Sequence, residues 1–313
     1  MRKVLAKLKR LWGILGWLSN LQTNRDAYDL PLKGDYKHPK VLLGTVLSTL
    51  NMSLSTRPSS LRDCEFQVFS QFGDDGIIQF LTRVLPIQNR VFVEFGVENY
   101  LESCTRFLLI KDNWSGLVLD ATSRNIDFIR EDRVSALFNL RSECWFVSAE
   151  NINSILRNAG ITGSIGLLCI DIDGMDYWVW RAITEVDPAI VVVEYNALFG
   201  PSRTVAVPYA QEFERTKAHS SRLYWGASLA ALVDLGQEKG YQFVGCNSNG
   251  NNAYFVKDEF ARVEAIATLK AEYVDASFAE YVVEGRRLRG DEALHAIRGC
   301  QVVNTRTQKI ELL

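Results

Sequence analysis

The sequence predicts an α/β fold: a doubly wound, mostly parallel sheet of seven strands that ends in an antiparallel hairpin, preceded by a helical extension. Two observations predict it. First, short apolar runs of β-branched or aromatic character stop at carboxylates in three places: Val91-Phe92-Val93-Glu94-Phe95-Gly96, Gly116-Leu117-Val118-Leu119-Asp120 and Ile170-Asp171-Ile172-Asp173-Gly174-Met175-Asp176. Runs of this length separated by helical patterns read as buried parallel strands. Second, the alternation breaks at its end, where Asn249-Gly250 sits between two strand-like runs and marks a hairpin. Ligands of open α/β sheets bind beyond the carboxyl ends of the strands, where chain order reverses. Carboxylates at three strand ends therefore point to one site.

The elements follow in order. Residues 1–60 form a helical extension, with a basic amphipathic helix over 2–18, a second helix from Val41 to about Leu54, and a Ser/Pro-rich linker from Ser55 to Ser60. The α/β domain spans 61–257. Asp74 and Asp75 suit the first turn of a helix, and Ile77, Ile78, Phe80, Leu81 and Val84 give that helix an apolar face. Strands are expected at Val91–Phe95, Gly116–Asp120, Cys144–Val147, Gly166–Ile172 and Ala189–Glu194. Helices from about Glu102 to Lys111, Ser123 to Arg133, Asn151 to Asn158 and Tyr177 to Thr184 separate them. A long insertion, Tyr195 to Tyr224, precedes a helix from Ala227 to Lys239. Strands at Gly240–Cys246 and Ala253–Lys257 close the sheet. Residues 258–313 are expected to add a C-terminal helical extension: a helix from Glu259 to about Tyr281, a basic turn at Arg286, Arg287 and Arg289, and a weakly patterned tail.

Bulk properties exclude several classes. The 313 residues are 47% hydrophobic, ordinary for a globular chain, and the net charge of −2 gives no argument for nucleic acid. Six scattered cysteines without a Cys-x-x-Cys pair read as buried free thiols of a reducing compartment, which predicts a cytoplasmic protein. No apolar stretch reaches the roughly 18 residues of a membrane span. The first ten residues carry five cations and no acid, and Leu5, Leu8, Leu11, Trp12, Leu15 and Leu18 recur at helical spacing. An interfacial helix at the inner membrane face fits this pattern better than a signal peptide; a packed arm of a homo-oligomer is the alternative.

At these residues the chain resembles the FkbM-type methyltransferases, a class I S-adenosylmethionine-dependent family with a Rossmann-like fold. Ser70-Gln71-Phe72-Gly73-Asp74-Asp75 resembles the family's Ser-Gln-x-Gly-Glu-Asp segment, and Val93-Glu94-Phe95-Gly96 its first motif. Ile170-Asp171-Ile172-Asp173-Gly174-Met175-Asp176 resembles its Ile-Asp-Val-Glu-Gly-x-Glu, and Val192-Val193-Glu194 its Val-Val-Glu. The match covers about residues 66–257. One departure is plain: Gly96 is followed by Val97-Glu98-Asn99-Tyr100, without further glycines. That also speaks against a dinucleotide diphosphate, which needs close backbone approach.

The resemblance implies an O-methyltransferase that uses S-adenosylmethionine and acts on a sugar hydroxyl of a bacterial polysaccharide or lipid-linked glycan. Glu94 and Gly96, with Ser70 and Gln71, would serve the methionine end of the cofactor, Asp120 both ribose hydroxyls, and Ala149 and Glu150 the adenine. Asp171 and Asp173 are the candidates for chemistry, since methyl transfer to a hydroxyl needs an aligned oxygen and a route for its proton. Asp171 would also border the cofactor, and His219 is a candidate general base in the insertion. Asp171, Asp173, Glu194 and Asn196 form a set of oxygen donors suited to Mg²⁺. Related metal-using sugar methyltransferases carry a histidine where this chain has Gly174. Two other readings stand beside this one: a non-catalytic scaffold of a glycan-assembly complex, and an NAD-dependent sugar-modifying enzyme.

Overall fold

The computed structural model describes residues 39–53, 58–277, 282–283 and 286–313. The basic segment 2–18 and His38 lie outside the described residues. The chain enters through α1 (Pro39–Ser53), whose Val41 and Leu47 pack with Val68 and Phe107. Helix α2 (Asp74–Val84) follows, and then the alternation begins. Strand β1 is Val91–Phe95, α3 Arg106–Asp112, β2 Ser115–Asp120, and α4 (Ser123–Glu131) and α5 (Arg133–Leu137) lead to β3 (Leu140–Cys144). Next come α6 (Ile152–Asn158), β4 (Gly163–Ile170), α7 (Asp176–Ala182) and β5 (Val186–Glu194). The insertion holds β6 (Val205–Ala206) and α8 (Arg215–Ala218); α9 (Leu229–Glu238), β7 (Tyr241–Cys246) and β8 (Asn252–Lys257) complete the main sheet.

That sheet has seven strands in the order β3-β2-β1-β4-β5-β8-β7. Strands β1 to β5 pair in parallel, and β8 runs antiparallel between β5 and β7. This is the expected class: a doubly wound, mostly parallel sheet closed by a hairpin. Side-chain alternation builds it, because successive residues of a strand face opposite sides. Val93, Leu117, Leu168 and Val191 face one core with α6, α7 and α9. Phe92, Val118, Leu167 and Ile190 face the other with α2, α3 and α4. With both faces covered, each fully buried Leu, Ile or Phe contributes roughly 1.5–3 kcal/mol. Chain order reverses between β1 and β4, so a crevice opens beyond their carboxyl ends.

Three expectations need correction. Strand β3 ends at Cys144 instead of beginning there, since parallel pairing sets Gly116 opposite Leu140 and Asp120 opposite Cys144. The apolar run Trp145-Phe146-Val147 thus emerges past the sheet edge into the crevice. Second, of the helix expected from Glu259 to about Tyr281, the described residues up to Ser277 show only a 3-10 turn at Asp258–Phe260 and the short α10 (Glu264–Ala267). Beyond it the backbone satisfies itself on distant groups: Lys270 N–H donates to Ser59 O at 2.8 Å and Ser277 N–H to Asn249 O at 2.9 Å. Third, the C-terminal region is not chiefly helical. After β9 (Val282–Val283), β10 (Arg286–Arg287) and α11 (Gly290–Ala296), strands β11 (Gln301–Asn304) and β12 (Ile310–Leu312) join β6 in a second sheet. Val205, Val207, Ile297 and Val302 then share a third core with Met175 and Phe199. Among the described residues, no helix is long and apolar enough to cross a membrane.

Candidate functional site

The loop after β1 shapes the crevice. Gly96 has φ 73°, and a Cβ there would lie 1.6 Å from the carbonyl oxygen of Asp171, so only glycine lets β1 and β4 end side by side. Two further left-handed positions follow, at Glu98 (φ 47°) and Tyr100 (φ 64°). These are the turns that missing glycines would have supplied, and such backbone costs about 1–2 kcal/mol per residue. Packing holds it in place. Tyr100 is fully buried, its hydroxyl is 2.9 Å from Thr105 Oγ1, and Arg106 donates to its carbonyl at 3.1 Å.

Glu94, at the end of β1, points into the start of α3. One oxygen accepts from Cys104 N–H at 2.7 Å, the other from Thr105 N–H at 3.1 Å and from the Thr105 hydroxyl at 2.5 Å. Three of its four lone-pair sites are occupied, which leaves one on a residue that lines the crevice. Burial pushes its carboxyl up to about 7 against those hydrogen bonds. Asp120 is used in the same way: Oδ2 accepts from Glu98 N–H at 2.9 Å, and Oδ1 from Thr122 N–H at 2.8 Å and Asn125 at 3.0 Å. One lone pair remains, on Oδ2, so Asp120 has capacity for one further hydroxyl and not the pair expected.

The Ser70-Gln71 segment divides in two. Gln71 borders the crevice, but Ser70 is buried and its hydroxyl donates to Asp75 at 2.8 Å. The N–H groups of Val68, Phe69 and Ser70 donate to the same oxygen, wrapping the segment around Asp75 at the start of α2. Ser70 therefore positions the segment instead of facing a ligand. Burial raises Asp75 to about 6, and its Oδ1 is buried without a hydrogen bond. Its neighbour Asp74 accepts from Asn247 at 3.1 Å, from Asn252 at 3.0 Å and from the Tyr254 hydroxyl, tying α2 to the closing hairpin.

Beyond β4 and β5 lies a second group of carboxylates. Asp176 accepts from Ile172 N–H at 2.9 Å and Gly174 N–H at 3.0 Å, fixing the loop that presents Asp171 and Asp173. Asp173 (φ 57°) receives Arg215 at 3.0 Å. Arg215 lies over the Trp225 ring at 4.3 Å and donates to Arg222 O at 2.9 Å. Asp171 accepts no side-chain hydrogen bond from the described residues. It is exposed at the crevice, with buried protein on its other sides. That burial, then Asp176, Asp173 and Glu94, pushes its carboxyl well above the usual range. Glu194 is 5% exposed, and its Oε2 is buried with no hydrogen-bond partner. Burial, then Asp171 and Asp176, drive it upward too, while Arg215 opposes them.

The crevice itself is a cleft of about 820 Å³. It brings together Gln71, Glu94, Gly96, Asp120, Asp171, Asp173 and Glu194 of the residues expected from sequence. Others do not reach it. Asn196 turns away: its Oδ1 accepts from Leu198 N–H at 3.0 Å and its amide donates to Leu223 O at 3.1 Å and Trp225 O at 3.0 Å. The four-residue donor set for Mg²⁺ thereby loses a member, and no group of three or more His, Cys, Asp or Glu suited to a metal forms among the described residues. His219 pairs with Ser221 at 2.8 Å outside the cleft. Ala149 N–H and the Glu150 carboxylate are both engaged by the Tyr209 hydroxyl. In their place the wall holds Trp145, Phe146 and Val147, a signal present in the sequence but assigned there to β3. Asp74, Glu98, Glu102, Phe213, Glu214 and Arg215 also line it. Among the described residues, nine acidic side chains and one arginine face this space.

No family model matches the chain, and no relative is found among curated proteins. Among solved structures, similar chains include an O-methyltransferase from Bacillus cereus in complex with SAH (11% identity, 75% of this chain, 97% of that one, TM-score 0.39). Others are an S-adenosylmethionine-dependent methyltransferase from Clostridium acetobutylicum (9%, 59% and 90%, TM-score 0.38) and a precorrin-6y C5,15-methyltransferase from Geobacter metallireducens (12%, 62% and 94%, TM-score 0.37).

Proposed function

We propose that this protein is an S-adenosylmethionine-dependent methyltransferase that methylates a hydroxyl group of a sugar. The observation that carries this reading is the charge of the cleft at the switch point of the sheet. Among the described residues lining it, acids outnumber basic side chains nine to one, an excess that survives protonation of the buried Glu94, Asp171 and Glu194; it repels a dinucleotide's diphosphate and suits a cofactor that is a sulfonium and an ammonium. The NAD-dependent alternative is disfavoured for that reason. The residues present fit the cofactor in parts. Glu94 keeps a lone pair for the ammonium, Asp120 one for a ribose hydroxyl, and exposed Glu98 stands beside it for the second. Trp145, Phe146 and Val147 give an apolar slot for the adenine.

Bound there, S-adenosylmethionine supplies an activated methyl group to a nucleophile. The chain's own part is to hold the acceptor and take its proton. Asp171, open to the cleft and without a side-chain donor among the described residues, accepts the hydroxyl hydrogen and removes the proton as the new carbon–oxygen bond forms. Phe213 and Met175 close the acceptor side. The sugar acceptor follows from the sequence resemblance and from this donor-hungry floor. A peripheral membrane location through residues 2–18 belongs to the same proposal, as does a cytoplasmic site of action.

Calorimetric titration with S-adenosylhomocysteine tests the reading. Micromolar binding to the wild type, weakened at least tenfold in Asp120→Asn, supports it. Absence of binding at millimolar ligand overturns it.

A further inference from the structure

The acceptor end of the cleft contains a buried carboxylate, Glu194, whose Oε2 finds no hydrogen-bond partner among the described residues. Glu194 ends β5, next to β4, whose last residue Ile170 pairs with Val193. The strand ends lie about 4.8 Å apart, so Asp171 and Glu194 are neighbours across the ladder. Glu194 Oε2 is buried without a hydrogen bond, and Asp171 accepts none from the described residues. An unmatched buried acceptor costs about 1–3 kcal/mol and more if charged, so a native site that retains one is built for a ligand that donates. Among the described residues Arg215 is the cation whose charge acts on Glu194, but its Nη1 goes to Asp173, its Nε to the Arg222 carbonyl and its plane to the Trp225 face, and none of these contacts reaches Glu194 Oε2. Asp171, Asp173, Glu194 and Glu214 border the same end of the cleft, and Asp176 lies behind them.

We propose that the acceptor carries an ammonium group beside the hydroxyl to be methylated, the ammonium resting on Glu194 and the hydroxyl on Asp171. A vicinal amino alcohol, as in an amino sugar, presents both donors to adjacent strand ends. A neutral polyol would give Glu194 no cation to offset its burial, and an anionic acceptor would place like charge against the acidic wall. The proposal deepens the methyltransferase reading and rests on it for the identity of the hydroxyl. The ammonium stays protonated and takes no part in bond making. The acceptor oxygen forms its bond to the methyl carbon, the sulfur–carbon bond breaks with its electron pair on sulfur, and the hydroxyl proton passes to Asp171.

The test uses the full chain in EDTA and two probes differing in one group: methyl α-D-glucosaminide and methyl α-D-glucoside. Each is titrated by ligand-observed NMR with and without S-adenosylhomocysteine. The expected result is at least tenfold preference for the amino sugar in the wild type, abolished in Glu194→Gln and retained in Glu194→Asp. S-adenosylhomocysteine affinity should be unchanged in Glu194→Gln, which shows the variant folded. Equal binding of the two probes, binding of neither, or a preference that survives Glu194→Gln overturns the proposal. Amino-sugar preference without S-adenosylhomocysteine binding would leave the ammonium site standing and remove methyl transfer.

Discussion

The α-carbon of Gly96 rests against the carbonyl oxygen of Asp171, at a spacing where an added Cβ would stand 1.6 Å from that oxygen. The contact ties the cofactor side of the cleft, at the end of β1, to the acceptor side, at the end of β4. Neither backbone can yield without parting the sheet at its switch point. Gly96→Ala also places a side chain at φ 73°. The substitution should destabilise the fold by more than about 3 kcal/mol, combining a strained dihedral with overpacking. Urea denaturation checks this, and S-adenosylhomocysteine binding should be lost in whatever folded fraction remains.

Asp120 and Trp145 test the two walls of the proposed nucleoside pocket separately. Asp120→Asn replaces an acceptor with a donor next to Glu98 N–H or Thr122 N–H, both of which now donate to the carboxylate. It should weaken S-adenosylhomocysteine binding about 10- to 100-fold, since a hydrogen bond to a charged group contributes roughly 1.5–3 kcal/mol. Trp145→Ala removes an exposed ring whose indole is anchored to Glu143 at 2.9 Å. Base–aromatic stacking of about 1–3 kcal/mol predicts a comparable loss of affinity with no change in melting temperature. Calorimetry and thermal melts on the two variants separate these outcomes.

How far these walls were legible in the sequence follows from their physics. The carboxylates at strand ends were visible because a buried strand must be apolar until it leaves the sheet. That placed Glu94, Asp120 and Asp171 correctly at one edge. Trp145 and Phe146 were assigned to the inside of a strand, because apolar composition does not reveal where pairing stops. The register with β2 decides that. Glu98 and Tyr100 were opaque for a different reason: their left-handed backbone is held by distant groups, Asp120 on the Glu98 N–H and Arg106 and Thr105 on Tyr100, against local preference. Asn196 and His219 have suitable chemistry, but Asn196 spends its amide on the distant Leu223 and Trp225 carbonyls and His219 turns its Nδ1 to Ser221. The link between the insertion and the C-terminal residues, through β6 and β11, is a long-range pairing that no local pattern announces.

Stability should fall as pH rises from about 5 to 8. Asp75 and Asp176 titrate at about 6 in the fold and Glu94 at about 7, all raised chiefly by burial. In the unfolded chain they return to ordinary values near 4, so between these limits the native state holds protons that the unfolded state has released. Unfolding then becomes easier with rising pH, and the loss levels off once pH passes the folded values. At about 1.4 kcal/mol per unit, the three groups together cost on the order of several kcal/mol by pH 8. Urea unfolding at about pH 5.5 and pH 8 measures it. A higher midpoint at pH 8 would refute the assignment of these three acids.

Behind the loop, Arg106 and Asp132 form a buried ion pair at 2.7 Å, with side chains 3% and 7% exposed. Asp132 also accepts from Val134 N–H at 3.1 Å, capping α5, and Arg106 holds the Tyr100 carbonyl and lies near the Phe69 and Tyr100 rings. The pair is thus a strut between α3, α5 and the left-handed turn at Tyr100. Removing one partner strands the other charge, so Asp132→Ala should cost about 3–5 kcal/mol. Replacing Arg106 by Met in the same chain relieves that stranded charge, and the double variant should be more stable than Asp132→Ala alone. Its turn at Tyr100 would still lack the guanidinium. S-adenosylhomocysteine affinity should therefore fall in the double variant even as stability recovers. A double variant no more stable than Asp132→Ala would show that Arg106 contributes through packing on the two rings and not through its charge.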